Sequence, residues 1–401
     1  MAVIARRRAQ GSQRDVDLPK PFQRPRKDRE YKTYNYDALP KSRGAIRLLN
    51  LYSSEKPEPG ILCELITPKE DHKNQFRYEA LTWCWGTAGK TDHIRVQRKG
   101  KTYAKPVSPD LVAALKALRH PTRNRYLWID MVCIDQDNLD EKNHQVEMMD
   151  EIYGKADRVC IWLGEANDSS RMALDFIKHE VSHLHSFDDL CNSKDASKKW
   201  VALLDLMQRL WFSRRWVVQE IALARKAMIY CGHDKISWKK FAIAVELFVE
   251  VETATHRLSE AMKKDRQYRY VPSYFEFVSA LGASLLVEAT ERLFRDYKEE
   301  HTVDPDLSSD PGSDSGSDSS SEASESHDSV SARSSSSSNL QKEVTNVPIN
   351  RIQPLLNLEY LVSSLTIFDT TVAHDTIYAL LAIVKDTTPR AVRSSAGDSS
   401  E

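Results

Sequence analysis

Glycine is scarce in this chain. With only 13 among 401 residues, there is no G-x-G-x-x-G and no G-x-x-x-x-G-K-[ST], so the common glycine-rich phosphate cradles are excluded. No G-x-S-x-G elbow occurs, and the 12 histidines form no recognisable Ser-His-Asp or Cys-His arrangement, so hydrolysis by those nucleophiles has no support. No apolar run approaches the ~18–20 residues that would span a bilayer. The opening stretch, MAVIARRRAQGSQR, lacks the apolar core of a secretory signal. Cys63, Cys84, Cys133, Cys160, Cys191 and Cys231 form no C-x-x-C, and reduced thiols in a cytoplasmic protein are expected. An excess of either charge is missing too. The 57 basic and 58 acidic residues leave a net charge of −1, which excludes a globally basic nucleic-acid binder.

Apolar residues make up 41% of the chain, enough for a folded core, but they are unevenly spread. Residues 1–32 form a basic arm without apolar periodicity, read as disordered. Residues 304–346 hold an acidic, serine-rich stretch that cannot form a core and is read as a disordered linker. The remaining divisions are a main domain at 33–240, a helical extension at 241–303, a helical tail at 347–386 and a disordered end at 387–401.

Within the main domain, Tyr78-Glu-Ala-Leu-Thr-Trp-Cys-Trp85 reads as a strand ending at Gly86. The alternation over Asp92 to Val107, turning at Lys99-Gly100, predicts a hairpin. Ser108-Pro109 caps an amphipathic helix reaching Leu118. Tyr126 to Ile134 is nearly continuously apolar and reads as a strand covered on both faces. A helix follows over 141–156, then a second buried strand from Val159 to Leu163. Strand, helix, strand in that order implies a parallel sheet. Helical stretches at 169–186 and 198–225 and a short strand from Ala227 to Cys231 come next. The fold class is α/β: a small, mostly parallel sheet flanked by helices, with a helical C-terminal extension.

Ligands of open parallel sheets bind outside the carboxyl ends of the strands. Asp130 sits in such a place and interrupts an apolar run. A carboxylate there must find donors or shift its pKa, either by tying down loop N–H groups or by serving a pocket. Trp85 lies at the end of another strand. If 210–224 is one helix, Trp211 and Arg215 are i,i+4 neighbours on one face, and so are Trp216 and Glu220 on another. That cluster is either a core helix with an Arg–Glu pair or a site for an aromatic, ribose-bearing ligand. In the second case indole stacks on a ring, arginine meets phosphate and the carboxylate meets hydroxyls or developing positive charge. His179-Glu180-Val181-Ser182-His183 matches H-E-x-x-H formally. His185 is misplaced for the extended zinc-protease pattern, and Asp188 and Asp189 lie too near for the usual third ligand. No metal and no other cofactor are expected.

Several ordered blocks resemble the fungal heterokaryon incompatibility (HET) domain family. They are Tyr78-Glu-Ala-Leu-Thr-Trp-Cys-Trp-Gly86, Leu127-Trp-Ile-Asp-Met-Val-Cys-Ile-Asp-Gln136, Glu141 and Gln145 through Ala156, Val159-Cys-Ile-Trp-Leu-Gly164, and Trp211-Phe-Ser-Arg-Arg-Trp-Val-Val-Gln-Glu220. Ile46-Arg-Leu-Leu49 and Asp375-Thr-Ile-Tyr-Ala-Leu-Leu381 also look like the family. Thr82 stands where the family usually has Ser, and Ala382 where Gly is common. The resemblance implies a part in nonself recognition leading to cell death. The family is thought to be distantly similar to TIR domains, which have a flavodoxin-like sheet. Some of those cleave NAD⁺ with a glutamate in a Trp-x-x-x-Glu pattern, and Trp216-Val-Val-Gln-Glu220 looks like it. The resemblance therefore implies Glu220 as catalytic carboxylate, Trp85, Asp130, Trp211, Arg215 and Trp216 as substrate-binding residues, and NAD⁺ or a related nucleotide as substrate. The rival expectation is a non-enzymatic TIR-like module that binds a protein partner or itself.

Overall fold

The computed structural model describes residues 31–40, 42, 44–55, 60–68, 77–86, 89–183, 195–256, 258–260, 275, 277–293, 358–370 and 375–384. The basic arm up to residue 30, the serine-rich stretch at 304–346 and the end at 387–401 lie outside the described residues.

Among the described residues nine strands form one sheet. They are β1 (Leu48–Leu51), β2 (Leu62–Ile66), β3 (Glu79–Trp83), β4 (Asp92–Arg98), β5 (Lys101–Val107), β6 (Arg125–Trp128), β7 (Arg158–Trp162), β8 (Ala227–Cys231) and β9 (Asp234–Ser237). Their order is β5-β4-β2-β1-β6-β3-β7-β8-β9. The central four, β6-β3-β7-β8, are mutually parallel. Numbered by their own appearance they run 2-1-3-4, the order of flavodoxin-like doubly wound sheets. In β3, β7 and β8 every residue after the first is buried, as expected of strands covered on both faces.

The sheet is mixed, which corrects the expectation of a small and mostly parallel one. β1 is antiparallel to both β2 and β6, β4 to β5 and β8 to β9. The periodicity that marked the parallel core had no counterpart in β1, β2 and β9, which are short and flanked by polar residues. β6 and β7 do share the parallel sheet, but β3 lies between them.

Local chemistry explains the best-read elements. Lys99 and Gly100 both have positive φ, the conformation of a two-residue turn that matches strand twist. Ser108 accepts from the Leu111 amide, and Pro109 opens the helix Pro109–Leu118, where its missing N–H would have no partner anyway. Gly232 begins the β8–β9 turn at φ +57, and a Cβ there would stand 2.7 Å from Ala166 Cβ and 2.9 Å from its nitrogen. Gly232→Ala is therefore expected to lose about 1–3 kcal/mol, combining strain with a backbone clash. Urea denaturation measures this, and an unchanged midpoint would refute it.

Three expected elements come out shorter. The apolar stretch from Tyr126 to Ile134 is strand only to Trp128; Asp130–Cys133 is one helical turn. Asp130 Oδ1 accepts from its neighbour's amide, Met131 N, at 2.7 Å, and such a side-chain bond competes with the strand ladder. The helix at 141–156 is two, Leu139–Glu147 and Met149–Lys155. The stretch at 198–225 breaks into Ala196–Met207, a 3₁₀ turn Leu210–Ser213 and the helix Trp216–Ala222.

Beyond the sheet lie helices Trp238–Thr255, Gly282–Leu293 and Leu358–Ser364, the expected helical C-terminal part. Leu361, Leu365, Phe368, Leu380 and Ile383 of the last segment join the main core. Among the described residues no helix is long and apolar enough to cross a membrane.

Candidate functional site

Two carboxylates, Asp130 and Glu220, are held by residues at or beyond the carboxyl ends of β3 and β6. β6 stops at Trp128 and delivers Asp130 just past its end. Three bonds hold this turn, two of them long-range. Gln136 Nε2 donates to Asp130 O at 2.9 Å, Tyr36 Oη to Val132 O at 2.8 Å, and Arg47 Nη1 to Cys133 O at 3.1 Å. Arg47 is itself fixed by a buried ion pair with Glu141, whose Oε1 also accepts from Asp135 N at 2.7 Å. The Ile-Asp-Gln block and Glu141 thus act together to present Asp130.

β3 contributes Thr82 from its interior and Trp83 at its end, with Trp85 beyond. Trp83 and Trp85 stack with centroids 6.5 Å apart. Trp85 Nε1 donates to Asp130 Oδ2 at 3.0 Å, while 37% of the Trp85 residue is exposed. Asp130 is half-buried, so this end of the cluster borders solvent.

Glu220 forms the inner end. It lies on the helix Trp216–Ala222 and is 2% exposed. The Thr82 hydroxyl donates to Glu220 Oε2 and accepts from Trp211 Nε1 at 2.8 Å. The Thr82 hydroxyl thus links the Trp211 indole to the Glu220 carboxyl.

The two acids share a neighbouring cation, Arg214. Burial pushes the Glu220 carboxyl up to about 7; Asp130 adds to the rise, while Arg214, the Thr82 hydroxyl and Tyr153 oppose it. Burial also raises Asp130, against Arg214, the Met131 amide and the indoles of Trp85 and Trp83. Each acid thus feels Arg214, whose Nη1 donates to Trp83 O. A carboxyl poised near neutrality can hold or release a proton at working pH.

Of the residues singled out from sequence, Glu220, Asp130 and Trp85 come together here, with Trp211 one bond removed through Thr82. Trp211 is buried and packs edge-on against Phe212 and Trp238, which leaves it no open face for a substrate ring. Arg215 and Trp216 engage other partners. Arg215 donates from Nη1 to Leu365 O and from Nη2 to Thr376 O at 3.1 Å. Trp216 Nε1 donates to Asp375 Oδ2 at 3.0 Å. Their assignment as ligand-binding residues assumed one helix over 210–224. The chain instead is extended at Arg214, and the phase is lost. Arg214 is the basic residue that the sequence reading missed. Only the adjacent arginine pair at 214 and 215 hinted at it, and nothing local tells which member faces inward.

The H-E-x-x-H stretch does not assemble. The helix Asp168–His179 ends at its first histidine, Glu180 is paired with Lys199 at 2.8 Å, and Val181–His183 is a 3₁₀ turn. Among the described residues no group of three or more His, Cys, Asp or Glu side chains could hold a metal ion, and the five described cysteines are free.

Comparison with known proteins agrees with the sequence blocks. Residues 78–220 match the family described as Heterokaryon incompatibility protein (HET). This span runs from the start of the first block to Glu220. The chain is 28% identical over 247 residues to Heterokaryon incompatibility protein 6, OR allele, of Neurospora crassa; the alignment covers 51% of this chain and 36% of that protein. The chain thus spans about a third of the length of the curated relative it matches. No solved structure matches. Over residues 78–220 the chain is therefore similar to the HET family.

Proposed function

We propose that this protein is an effector of fungal heterokaryon incompatibility. In this reading it works in the cytoplasm, and its HET domain triggers cell death by cleaving the nicotinamide–ribose bond of NAD⁺ or a related nucleotide. The observation that carries the proposal is the set of hydrogen bonds that ties Glu220 to Thr82, Arg214 to Trp83 and Asp130 to Trp85, all at the carboxyl end of β3, where a 2-1-3-4 sheet places ligands. The printed name of the Neurospora crassa relative supports the biological role.

In this reading Trp85 offers its indole face to the base. The C1′–N bond breaks with its electron pair leaving on the nicotinamide nitrogen, which departs neutral. The ionised Glu220 stabilises the oxocarbenium-like state. Water then adds to C1′ and gives up a proton to the carboxylate. Asp130 and Arg214 set the charge that Glu220 carries. A positively charged pyridinium ribose would draw Glu220 below its resting value near 7, so turnover is expected to rise with pH toward neutrality. The purified full chain should release nicotinamide from NAD⁺, and Glu220→Gln should lower the rate at least 100-fold, on the order of losing a main catalytic group. A wild-type protein that kills cells without lowering their NAD⁺ would reject the enzymatic reading.

A second reading is favoured by one observation, the seal around Glu220. At 2% exposure, with its carboxyl bonded to Thr82, the side chain suits a structural role in a non-enzymatic module that binds a protein partner or itself. Toxicity of the Glu220→Gln protein equal to wild type, together with recovery of a partner or an oligomer, would support this reading.

A further inference from the structure

The family match ends at Glu220, yet the backbone that aims Arg214 is held by a segment more than 100 residues later. Asp369 N donates to Ser213 O at 2.6 Å and Arg215 N to Asp369 O at 3.1 Å, which makes Arg214 and Asp369 a parallel bridge. Arg215 is 1% exposed and clasps the same segment through Leu365 O and Thr376 O. Trp216 ties it again at Asp375. Leu361, Leu365 and Phe368 of this segment are themselves buried in the core. Arg214 sits in the middle of this grip, but its guanidinium turns to Trp83 O.

We infer that residues 358–370 and 375–384 are a built-in part of the acid site: their pairing with the Arg214 backbone positions the guanidinium that serves Glu220 and Asp130. The inference rests on the reading of those two acids as the working groups. It makes Arg214 a positioning residue and the C-terminal segment its holder. The groups facing Glu220 are Arg214, the Thr82 hydroxyl, Asp130 and Tyr153. Those facing Asp130 are Arg214, the Met131 amide and the indoles of Trp83 and Trp85. Arg214 is the cation common to both sets, so a small change in its placement reaches both acids.

The test follows the Glu220 carboxyl band by infrared difference spectroscopy between pH 5 and 9, in the full chain without nucleotide, with Glu220→Gln as blank. Wild type should titrate near pH 7, where burial places the group. Arg214→Gln should raise the midpoint by about 1–2 pH units, the usual effect of losing a neighbouring opposite charge. Asp375→Asn and Trp216→Phe keep Arg214 but weaken its holder, and each should raise the midpoint by about 0.5–1 pH unit. Ser363→Ala, which removes an exposed hydroxyl bonded within its own helix, should change nothing. The inference is overturned if Asp375→Asn and Trp216→Phe lower the melting temperature yet leave the midpoint in place, since the segment is then only a brace. An unmoved midpoint in Arg214→Gln overturns it as well. Because no nucleotide is present, shifted midpoints in a protein that never hydrolyses NAD⁺ would reject the proposed activity and keep the coupling.

Discussion

Glu220→Gln is expected to make the folded protein more stable by about 3 kcal/mol at pH 8 and to leave it nearly unchanged at pH 4.5. The Glu220 carboxyl rises from its ordinary 4.5 to about 7 on folding, because burial penalises its charged form. Between those values the folded chain keeps a proton that the unfolded chain has released, so wild-type stability falls as pH rises through that window. Each pH unit of separation is worth about 1.4 kcal/mol, which gives about 3 kcal/mol in full above pH 7. Glutamine carries no charge to desolvate and still accepts from Thr82. Asp130 is raised in the same direction, so part of the wild-type loss persists in the variant and only the difference isolates Glu220. Urea titrations of both proteins at pH 5 and pH 8 measure it. A gap of equal size at both pH values would mean that desolvation of this charge is not the cause. In the proposed enzymatic reading, where Glu220→Gln also loses the activity, stability has been given up for chemistry.

Glu141→Ala is expected to cost about 3–5 kcal/mol, the range for stranding one member of a buried ion pair. Arg47 is 3% exposed. Both its terminal nitrogens donate to Glu141, and it also reaches Asp37 O and Cys133 O. Without Glu141 the guanidinium stays buried against neutral acceptors, and Asp135 N loses its acceptor. The same change frees the turn that carries Asp130, so the proposed activity should fall alongside stability. Replacing both partners, Arg47→Met with Glu141→Leu, should recover much of the stability but not the activity, because an apolar pair satisfies burial without holding Cys133 O. A double-mutant cycle by chemical denaturation reads the coupling. Single-variant losses below about 1 kcal/mol would show that the pair behaves as an exposed one.

Sequence alone determined the parts of this protein whose signals are local. The Lys99-Gly100 turn, the Ser108-Pro109 helix start and the buried cores of β3 and β7 follow from dihedral preference, capping and apolar continuity. The ordered blocks from Tyr78 to Glu220 were enough to bring out the family, and they put Glu220, Asp130 and Trp85 on the list of residues that converge. Tertiary structure alone decided which arginine serves them. The break at Arg214 exists because Asp369, 155 residues further on, supplies hydrogen bonds that a continuous helix would have made internally. That pairing turns Arg215 and Trp216 toward the C-terminal segment and leaves Arg214 for the acids. The antiparallel flanks β1, β2 and β9 were likewise set by their neighbours in the sheet. Helical phase and strand partnership depend on contacts between distant segments, and a pattern read within one window cannot contain them.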